Sequence, residues 1–374
     1  YVSIEGRDLW EFPLQLSEKQ KIKLLHHIIE LEAQDFPYYY FDYNCSYFIL
    51  SLLQVLYPEK MLMDDFWFST IPYDTLKTLQ KNKIIEKFEF RPSNLRVIET
   101  KWNALNKFEK KQVLSDKKAE SVRALEVKMD LAYLRSNQGE DVKTELYDLQ
   151  LQRAKLGSQK TFETNLKPEA SILSEWPTSF LGFSASKDTA GMHVLPALKD
   201  SLTPTNYMKG INISLLETKL IYEDSYLYLS DLSLMDIRSY PLYTELFKKM
   251  SYEISLFYRD SKHRAANSQL KVAFGYSFSL YDDLVWQFFL NTRAKHQDDS
   301  TRFGAGYIQQ LSFQHKKWTA LIRQEITYFD SIDDDKDYHL SIGREISYQK
   351  QLRFNYLKTE TYPSLSEIEF VFYF

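Results

Sequence analysis

The only cysteine of the 374-residue chain, Cys45, lies where the aromatic run "YYYFDYN" ends and a helical pattern begins. Asn44 precedes it and is a favoured N-cap, because its side-chain oxygen can accept from free amides of the first turn. Apolar residues then follow at helical spacing: Phe48, Leu52, Val55 and Leu56. A helix N-terminus favours the thiolate over the thiol. The pattern predicts a nucleophile at Cys45, and the alternative is a small buried apolar side chain.

The bulk composition limits the classes of function. The length allows two domains, and the formal charge of −4 gives no nucleic-acid footprint. A single cysteine excludes an intramolecular disulfide, and no hydrophobic stretch is long enough for a membrane helix. No metal-ligand spacing is present and no cofactor is expected. The chain begins at Tyr1 with neither an initiator methionine nor a signal-peptide pattern, so we expect an upstream segment.

The first part of the chain mixes helices with short extended segments, and we place an α+β domain at residues 1–105. "LSEKQKIKLLHHIIELEAQ" predicts an amphipathic helix capped by Ser17, and "IPYDTLKTLQKNKII" predicts a helix that starts near Asp74 or Thr75. "EKFEFRPSN" predicts a strand followed by a turn. Residues 106–165 are charged and helical, and "SNQG" predicts the turn of a two-helix hairpin that serves as a solvated connector.

From about residue 177 the period of the pattern changes from helical to 2. "QLKVAFGYSFSLY" and "WTALIRQEITYF" each place apolar residues on one face and mostly small or charged residues on the other. About 12 such segments with short polar joins are typical of an antiparallel transmembrane β-barrel, which we place at residues 170–374. The alternative is a soluble β-sandwich or barrel, whose strands also alternate.

The ending "IEFVFYF" resembles the C-terminal signal of bacterial outer-membrane barrels. An even number of strands places both ends of such a barrel in the periplasm of a Gram-negative bacterium. We therefore expect the N-terminal domain to be periplasmic, beside the lipid of the outer membrane.

Four blocks of the first part, in order, carry a resemblance to a known family: "RDLWEFPLQLSEKQ", "YYYFDYNCSYFILSLL", "STIPYDTLKTL" and "FEFRPS". Together they resemble the N-terminal periplasmic domain of the Lnb-type lipoprotein N-acyltransferases. The resemblance implies a permuted papain-like or NlpC/P60-like fold in which a cysteine opens a helix as the nucleophile. In those enzymes the cysteine would take an acyl group from a lipid and pass it to a lipoprotein amine.

Carried over by residue, Cys45 matches the family's nucleophile, and the Cys45 amide would be an oxyanion donor. The other matched positions are supporting residues that we expect to be structural: Asn44, Ser46, Asp74, Thr75, Arg91 and Ser93. The family's histidine belongs to an upstream "GH"-type segment that this sequence lacks. His26 and His27 are the only histidines of the first domain, and both fall in the middle of a predicted helix, where a structural role is the ordinary one.

Three functions remain open at this stage. The first is cysteine-dependent acyl transfer or hydrolysis on a lipid, lipoprotein or cell-wall substrate, with the base supplied by an upstream segment or a separate chain. The second is a non-catalytic anchor or scaffold for a lipoprotein or another envelope partner. The third is a pore, which a wide aqueous lumen would favour, whereas a lumen filled by Arg323, Glu325 and Arg344 would favour the other two.

Overall fold

The computed structural model describes the chain except residues 1–6, 40, 65, 67–68, 116–117, 160, 163–165, 169, 206–209, 262–263, 331–333 and 360–363. Contacts divide the chain into two compact units. One comprises Tyr1–Gln15 and Ile84–Glu169, and the other Leu16–Lys83 and Ala170–Phe374. Cys45 and the C-terminal strands therefore belong to the same unit. The division at residues 105 and 165 stays a prediction.

The first 160 residues form helices and one small sheet. A two-stranded antiparallel sheet pairs β1 (Leu9–Glu11) with β2 (Glu89–Arg91). The helices of the described residues are α1 (Glu18–Leu31), α2 (Cys45–Gln54), α3 (Pro72–Lys81), α4 (Asn94–Asn103), α5 (Lys107–Leu114), α6 (Val122–Asn137) and α7 (Lys143–Lys155). None of these helices is both long and apolar enough to cross a membrane.

The helices predicted at Ser17, Cys45 and Asp74 are all present. Ser17 forms a reciprocal capping box with Gln20, and α2 begins at Cys45 after an extended Asn44. In α3, Pro72 occupies the first turn, and Asp74 is the third residue. Capping signals predicted the starts of α1 and α2 because capping depends on local sequence. Helix α3 begins two residues before Asp74, with Ile71 at its N-cap and no side-chain cap.

The prediction of a two-helix connector is wrong in one respect. Before the "SNQG" turn there are two helices, α5 and α6, because side chains of α5 hold the chain that leads into α6. Gln112 Oε1 accepts from the amides of Glu120 and Ser121 at 3.2 and 3.1 Å, and Glu109 accepts from Ser121 Oγ at 2.8 Å. The turn itself is confirmed, with Gly139 at a φ of +97°.

The C-terminal part is a closed antiparallel barrel of twelve wall positions. Its strands are β3 (Phe180–Ala185), β4 (Thr189–Leu195), β5 (Ala197–Lys199), β6 (Ile211–Glu223), β7 (Tyr226–Ser239), β8 (Ser251–Ser261), β9 (Arg264–Tyr281), β10 (Leu284–Gln297), β11 (Ser300–His315), β12 (Trp318–Phe329), β13 (Asp335–Ser347), β14 (Lys350–Thr359) and β15 (Leu365–Tyr373). Both β4 and β5 pair with β6 and share one position. Pairing of β15 with β3 closes the ring.

Tight turns and the alternation of apolar and polar residues along the strands explain why the sequence predicts this barrel. Asp298 and Asp299, for example, join β10 to β11 with φ values of 48° and 58°, as two-residue hairpins with both central residues at positive φ require. On β9, Leu270 and Phe274 face outward and are half-exposed, while Lys271 and Ala273 are buried. The outward face is apolar and aromatic around the ring, which is the surface of a transmembrane barrel.

The lumen is filled by charged side chains that pair across it. Arg323 on β12 donates to both carboxylate oxygens of Glu253 on β8, at 2.8 and 2.7 Å, and to Glu325 on its own strand at 2.9 Å. Lys271 Nζ lies 3.5 Å from Glu253 and 3.3 Å from Glu325. All four side chains are buried. Buried charges of this kind require partners. Here Glu253 has two cationic neighbours, and Glu325 has a third in Arg293.

The connection between β5 and β6 also enters the lumen. In its segment 200–205, the carbonyl of Leu202 accepts from Thr319 Oγ1 at 3.2 Å and from Gln351 Nε2 at 3.0 Å. Arg353 on β14 donates to the carboxylate of Asp200, the first residue of this segment, at 2.6 Å. Since β12 stands six positions from β6 in the ring, this segment crosses the interior. Two polar cavities of about 240 and 260 Å³ remain inside.

The expectation that Arg344 helps to fill the lumen is wrong. Its pairing partner across β12 and β13 is the half-exposed Trp318, and the Arg344 guanidinium lies 5.1 Å from the Trp318 ring centre. Arg323 and Glu325, the other two residues expected inside, are buried there. Strand parity decides this, because residues 323 and 344 stand on opposite faces of their strands.

Replacing Ile322 by Arg should impair insertion. Ile322 faces outward in the middle of β12 and is 54% exposed, and an arginine there costs about 2–4 kcal/mol near the bilayer midplane. Tyr226→Arg, at a 75% exposed position beside the β6–β7 turn, should cost about 0–1 kcal/mol. Refolding from urea into phosphatidylcholine vesicles, followed by gel mobility, measures both. Equal losses would contradict the assignment of the outward face.

Arg323→Met should lower the free energy of unfolding by about 3–5 kcal/mol, because it leaves Glu253, which is fully buried, without its two-point partner. The matched control is Arg344→Met, which removes the same charge from the outward face and should cost about 1 kcal/mol or less. Urea unfolding in detergent micelles gives both values. A larger loss for Arg344→Met would show that the lumen pairing has been misassigned.

Candidate functional site

Cys45 is exposed at the first position of α2, and its neighbour Asn44 organises the turn that carries it. The Asn44 Oδ1 atom accepts from the amides of Ser46 and Tyr47, at 3.0 and 3.2 Å. Asn44 and Ser46 are both buried, so the exposed thiol is held between two fixed residues. The local prediction of an N-capped helix starting at Cys45 is therefore confirmed.

A second set of hydrogen bonds ties this turn to the segment that precedes α3. Asn44 Nδ2 donates to the carbonyl of Thr70 at 2.6 Å. The Thr70 amide in turn donates to the carbonyl of Phe41 at 2.7 Å. Asn44 therefore caps one helix and holds the start of another with the same amide group. Sequence analysis missed Thr70, since its contact with Asn44 spans 26 residues.

Aromatic rings flank the cysteine turn. The Tyr43 and Tyr47 ring centres lie 4.6 Å apart, and those of Phe36 and Phe48 lie 5.3 Å apart. Burial and the neighbouring Tyr43 raise the pKa of Tyr47. Phe36, Tyr38, Tyr39 and Tyr43 remain exposed, while Tyr40 of the same run lies outside the described residues. The surface beside Cys45 is thus apolar and accessible.

The apolar face of α1 is also exposed. The helix is amphipathic as predicted, but no residue of it is buried among the described residues. Its exposed apolar side chains are Ile22, Leu25, Ile28 and Ile29. Helix α1 approaches α2 through Lys23, whose Nζ donates to the carbonyl of Val55 at 2.6 Å. Val55 is the C-cap of α2, so this contact lies at the opposite end of that helix from Cys45. An exposed apolar face of this kind is typical of a surface that binds a partner.

Asp74 and Thr75 hold α3 in place. Asp74 is partly buried and accepts a hydrogen bond from Thr178 Oγ1 just before the barrel, and desolvation raises its pKa. Thr75 Oγ1 donates to the carbonyl of Pro72 at 2.7 Å, within the helix. Tyr73 Oη donates to the carbonyl of Glu175 at 2.6 Å. These contacts join α3 to the barrel and are consistent with a structural role.

Arg91 and Ser93 lie in the other compact unit, where both make structural contacts. Arg91 pairs with Glu11 across the small sheet at 2.9 Å. Ser93 caps α4 by accepting from the amide of Arg96 at 3.2 Å, and its own amide donates to Asp8 at 2.7 Å. Neither contact involves Cys45.

His26 and His27 both lie in the middle of α1, as predicted. His26 is exposed, and His27 Nδ1 lies 3.5 Å from Glu30 one turn further along. In the described part of the chain, no hydrogen bond joins either imidazole to Cys45. The structure therefore assigns no base to the thiol, and no group of three described His, Cys, Asp or Glu residues is placed to hold a metal ion.

A cavity of about 730 Å³ lies between α3 and the rim of the barrel that carries both Ser179 and Phe374. Its wall on the barrel side includes Val194 and Leu232, and its wall on the helix side includes Lys77. The Nζ atom of Lys77 is buried and has no hydrogen-bond partner among the described residues. The sequence offered no sign of this lysine, because its burial depends on the contact of α3 with the barrel.

Two family models match the chain. One described as "Lnb N-terminal periplasmic domain" matches residues 1–82 and confirms the resemblance. The match includes three of the four sequence blocks, while "FEFRPS", with Arg91 and Ser93, lies beyond it. Another, described as "Domain of unknown function (DUF7840)", matches residues 178–373, more than half of the chain. No curated protein matches.

Several solved structures align with the barrel. A KdgM porin is 9% identical with a TM-score of 0.33, and the alignment covers 53% of this chain and 99% of the porin. A NanC porin is 8% identical with a TM-score of 0.34 over 53% and 99% of the two chains. An outer membrane channel from Pseudomonas putida F1 is 9% identical with a TM-score of 0.32, covering 57% and 100%. The closed barrel itself is established by its own strand pairing.

Iodoacetamide should alkylate Cys45 in the folded protein, because the thiol is exposed at the first position of α2. The matched control is the double variant Cys45→Ser, Ser51→Cys, which moves the thiol to an exposed position further along α2. Its alkylation at neutral pH should be slower by about threefold or more, since dipole effects fall off within the first turn. Mass spectrometry over time gives both rates, and slower labelling of Cys45 would contradict its assignment as an activated thiol.

Proposed function

Because the chain belongs to the family defined by the Domain of unknown function (DUF7840), and an Lnb N-terminal periplasmic domain precedes its barrel, we propose that it is a cysteine acyltransferase of the outer membrane. Its substrate would be an acyl ester of a lipid or lipoprotein. Cys45, exposed at the start of α2 within the residues matched by the periplasmic domain, is the observation that carries this proposal.

The chain is an outer-membrane β-barrel with an N-terminal periplasmic domain. Phe374 donates its amide to the carbonyl of Ser179 at 3.0 Å, so the chain enters and leaves the barrel at the same rim. Since the preceding domain is periplasmic, this rim faces the periplasm. Helices α2 and α3, which belong to the same compact unit as the barrel, would then act at the inner leaflet.

The proposed reaction has two balanced steps. Cys45 Sγ loses its proton to a base and attacks the ester carbonyl of the donor, which forms a thioester as the alcohol leaves with that proton. An amine then attacks the thioester, the new amide forms, and a proton returns to Cys45. Water in place of the amine gives hydrolysis. The exposed aromatic side chains of residues 36–43 offer an apolar surface on which an acyl chain could lie.

The hydrogen bonds of the turn limit which amide can stabilise the oxyanion. The amides of Ser46 and Tyr47 already donate hydrogen bonds to Asn44 Oδ1. The amide of Cys45 itself is therefore the proposed donor from this turn. A second donor would have to come from a substrate-bound rearrangement or from a partner.

The base is proposed to come from an upstream segment or a separate chain. His26 and His27 make no described contact with Cys45, and a thiol without a base is a poor acyl-transfer catalyst. The exposed apolar face of α1 offers a docking surface for such a segment, although the contact of α1 with α2 is at Val55, the C-terminal end of α2, and not at the thiol. Asp74 and Thr75 would then be positioning residues that fix α3 on the barrel.

The filled lumen opposes the pore alternative. Arg323 pairs with Glu253 across the interior, and segment 200–205 crosses it at the periplasmic rim. An aqueous channel would require these contacts to open. The anchor or scaffold alternative uses the same barrel and differs only at Cys45, so it is the outcome to expect if the cysteine proves inert.

The protein isolated from the outer-membrane fraction should carry a thioester-linked acyl group on Cys45. Hydroxylamine at neutral pH should release it, because it cleaves thioesters faster than oxygen esters. Cys45→Ser should lose the adduct and the transfer of a labelled acyl chain to a lipoprotein amine, while the barrel stays folded.

The control is again the double variant Cys45→Ser, Ser51→Cys, which keeps an exposed thiol on α2 but away from its first turn. Acylation of that displaced cysteine at the wild-type rate would mean that the label reflects non-specific transfer. A wild-type protein that never carries the adduct, even when purified with its native partners, would favour the scaffold.

A further inference from the structure

The cavity between α3 and the periplasmic rim opens on the outside of the barrel wall. On β4 and β6, His193 and Glu217 are hydrogen-bonded to each other at 2.9 Å inside the lumen. The side chains adjacent to them in sequence, Val194 and Leu216, therefore point outward, and both line the cavity. Leu232 on β7 extends the same apolar wall.

Above this wall, α3 presents a buried cation. Lys77 lines the cavity, and its Nζ has no hydrogen-bond partner among the described residues. The ammonium lies 4.4 Å from the ring centre of Tyr73, one turn earlier. Burial lowers the pKa of Lys77 to about 8, against the opposing effect of the Asp74 and Glu175 carboxylates. An ammonium held in this way is incompletely solvated and gains from a further anionic partner.

Neither of the two neighbouring carboxylates is hydrogen-bonded to the Lys77 ammonium. Asp74 already accepts from Thr178 Oγ1, and burial raises its pKa. Glu175 accepts from Thr205 Oγ1 at 3.1 Å. A second lysine of α3, Lys81, also lines the cavity and adds a second positive charge to the same wall. The cavity thus has an apolar wall at the level of the barrel and a cationic wall at the level of the periplasmic helix.

The position of the cavity in the membrane identifies the class of ligand. Pro177, Ser179 and Phe374 line it and mark the point where the chain enters and leaves the barrel. At this level of an outer-membrane barrel, acyl chains lie against the outward face, and headgroups lie at the rim. A volume of about 730 Å³ is enough for a headgroup with the first part of its acyl chains.

We propose that this cavity binds one phospholipid of the inner leaflet, with its phosphate on Lys77 and its acyl chains along Val194, Leu216 and Leu232. The two opposite walls match the two parts of such a lipid. A free phosphate would leave the apolar wall unused, and a neutral diacylglycerol would leave Lys77 without a partner. The site does not depend on acyl transfer, because none of its contacts involves Cys45.

Native mass spectrometry of the full chain in detergent, titrated with dioleoyl-phosphatidylglycerol, tests this proposal. One lipid should be retained at a low lipid ratio. Lys77→Gln should weaken binding by about tenfold or more, because a hydrogen bond between two charged groups is lost. Lys77→Arg should bind within about threefold of wild type. The matched control Lys83→Gln changes an exposed lysine just after α3 that does not line the cavity, and it should bind like wild type.

Further variants and competitors show which part of the phospholipid is bound and whether Cys45 contributes. Leu232→Asn, which alters only the apolar wall, should also weaken binding, whereas Cys45→Ser should not. Diolein and inorganic phosphate should each fail to displace the bound phospholipid. Equal binding by wild type and Lys77→Gln would overturn the proposal, and so would displacement by inorganic phosphate alone. Loss of acyl transfer with lipid binding intact would instead count against the function of Cys45.

Discussion

The pairing of Arg323 with Glu253 and Glu325 inside the barrel is the constraint on which the rest of this molecule depends. Each of these charges would cost several kcal/mol if it were buried alone, so the strands that carry them must stand at a fixed distance and register. Glu253 and Arg323 stand on β8 and β12, four positions apart in the ring. The same contact therefore specifies the curvature of the wall and occupies its interior.

Because the lumen is filled, the proposed sites lie at the periplasmic rim and not inside the barrel. The connection between β5 and β6 crosses the lumen there, and Leu202 binds side chains of β12 and β14. At the same rim α3 is attached through Tyr73 and Asp74, and the segment before α3 holds Asn44. Segment 70–74 is thus hydrogen-bonded at one end to the residue that precedes Cys45 and at the other end to the residues just before the barrel, and in this way the barrel supports the cysteine turn.

The places where sequence-based expectations failed share a physical cause. The break between α5 and α6 depends on Gln112 accepting two amides from eight and nine residues away, which helical periodicity does not report. Arg344 was named with Arg323 and Glu325 as a residue that would fill the lumen, yet strand parity places it outside against Trp318. Helix α1 is amphipathic as predicted, but none of its described residues is buried, because amphipathic periodicity does not report whether a face is covered.

The sequence by itself determined those features that depend on near neighbours. Alternation at period 2 specified which faces of β9 and β12 point outward, and the Asn44 cap specified where α2 begins, because pleat and capping are local. The family resemblance over residues 7–93, which a family model matches over residues 1–82, also came from short local blocks. Only the tertiary structure decided that described side chains fill the lumen, that Thr70 holds Asn44, and that the Nζ atom of Lys77 is buried. Those contacts join residues far apart in the chain, and no local pattern encodes which distant side chain will be the partner.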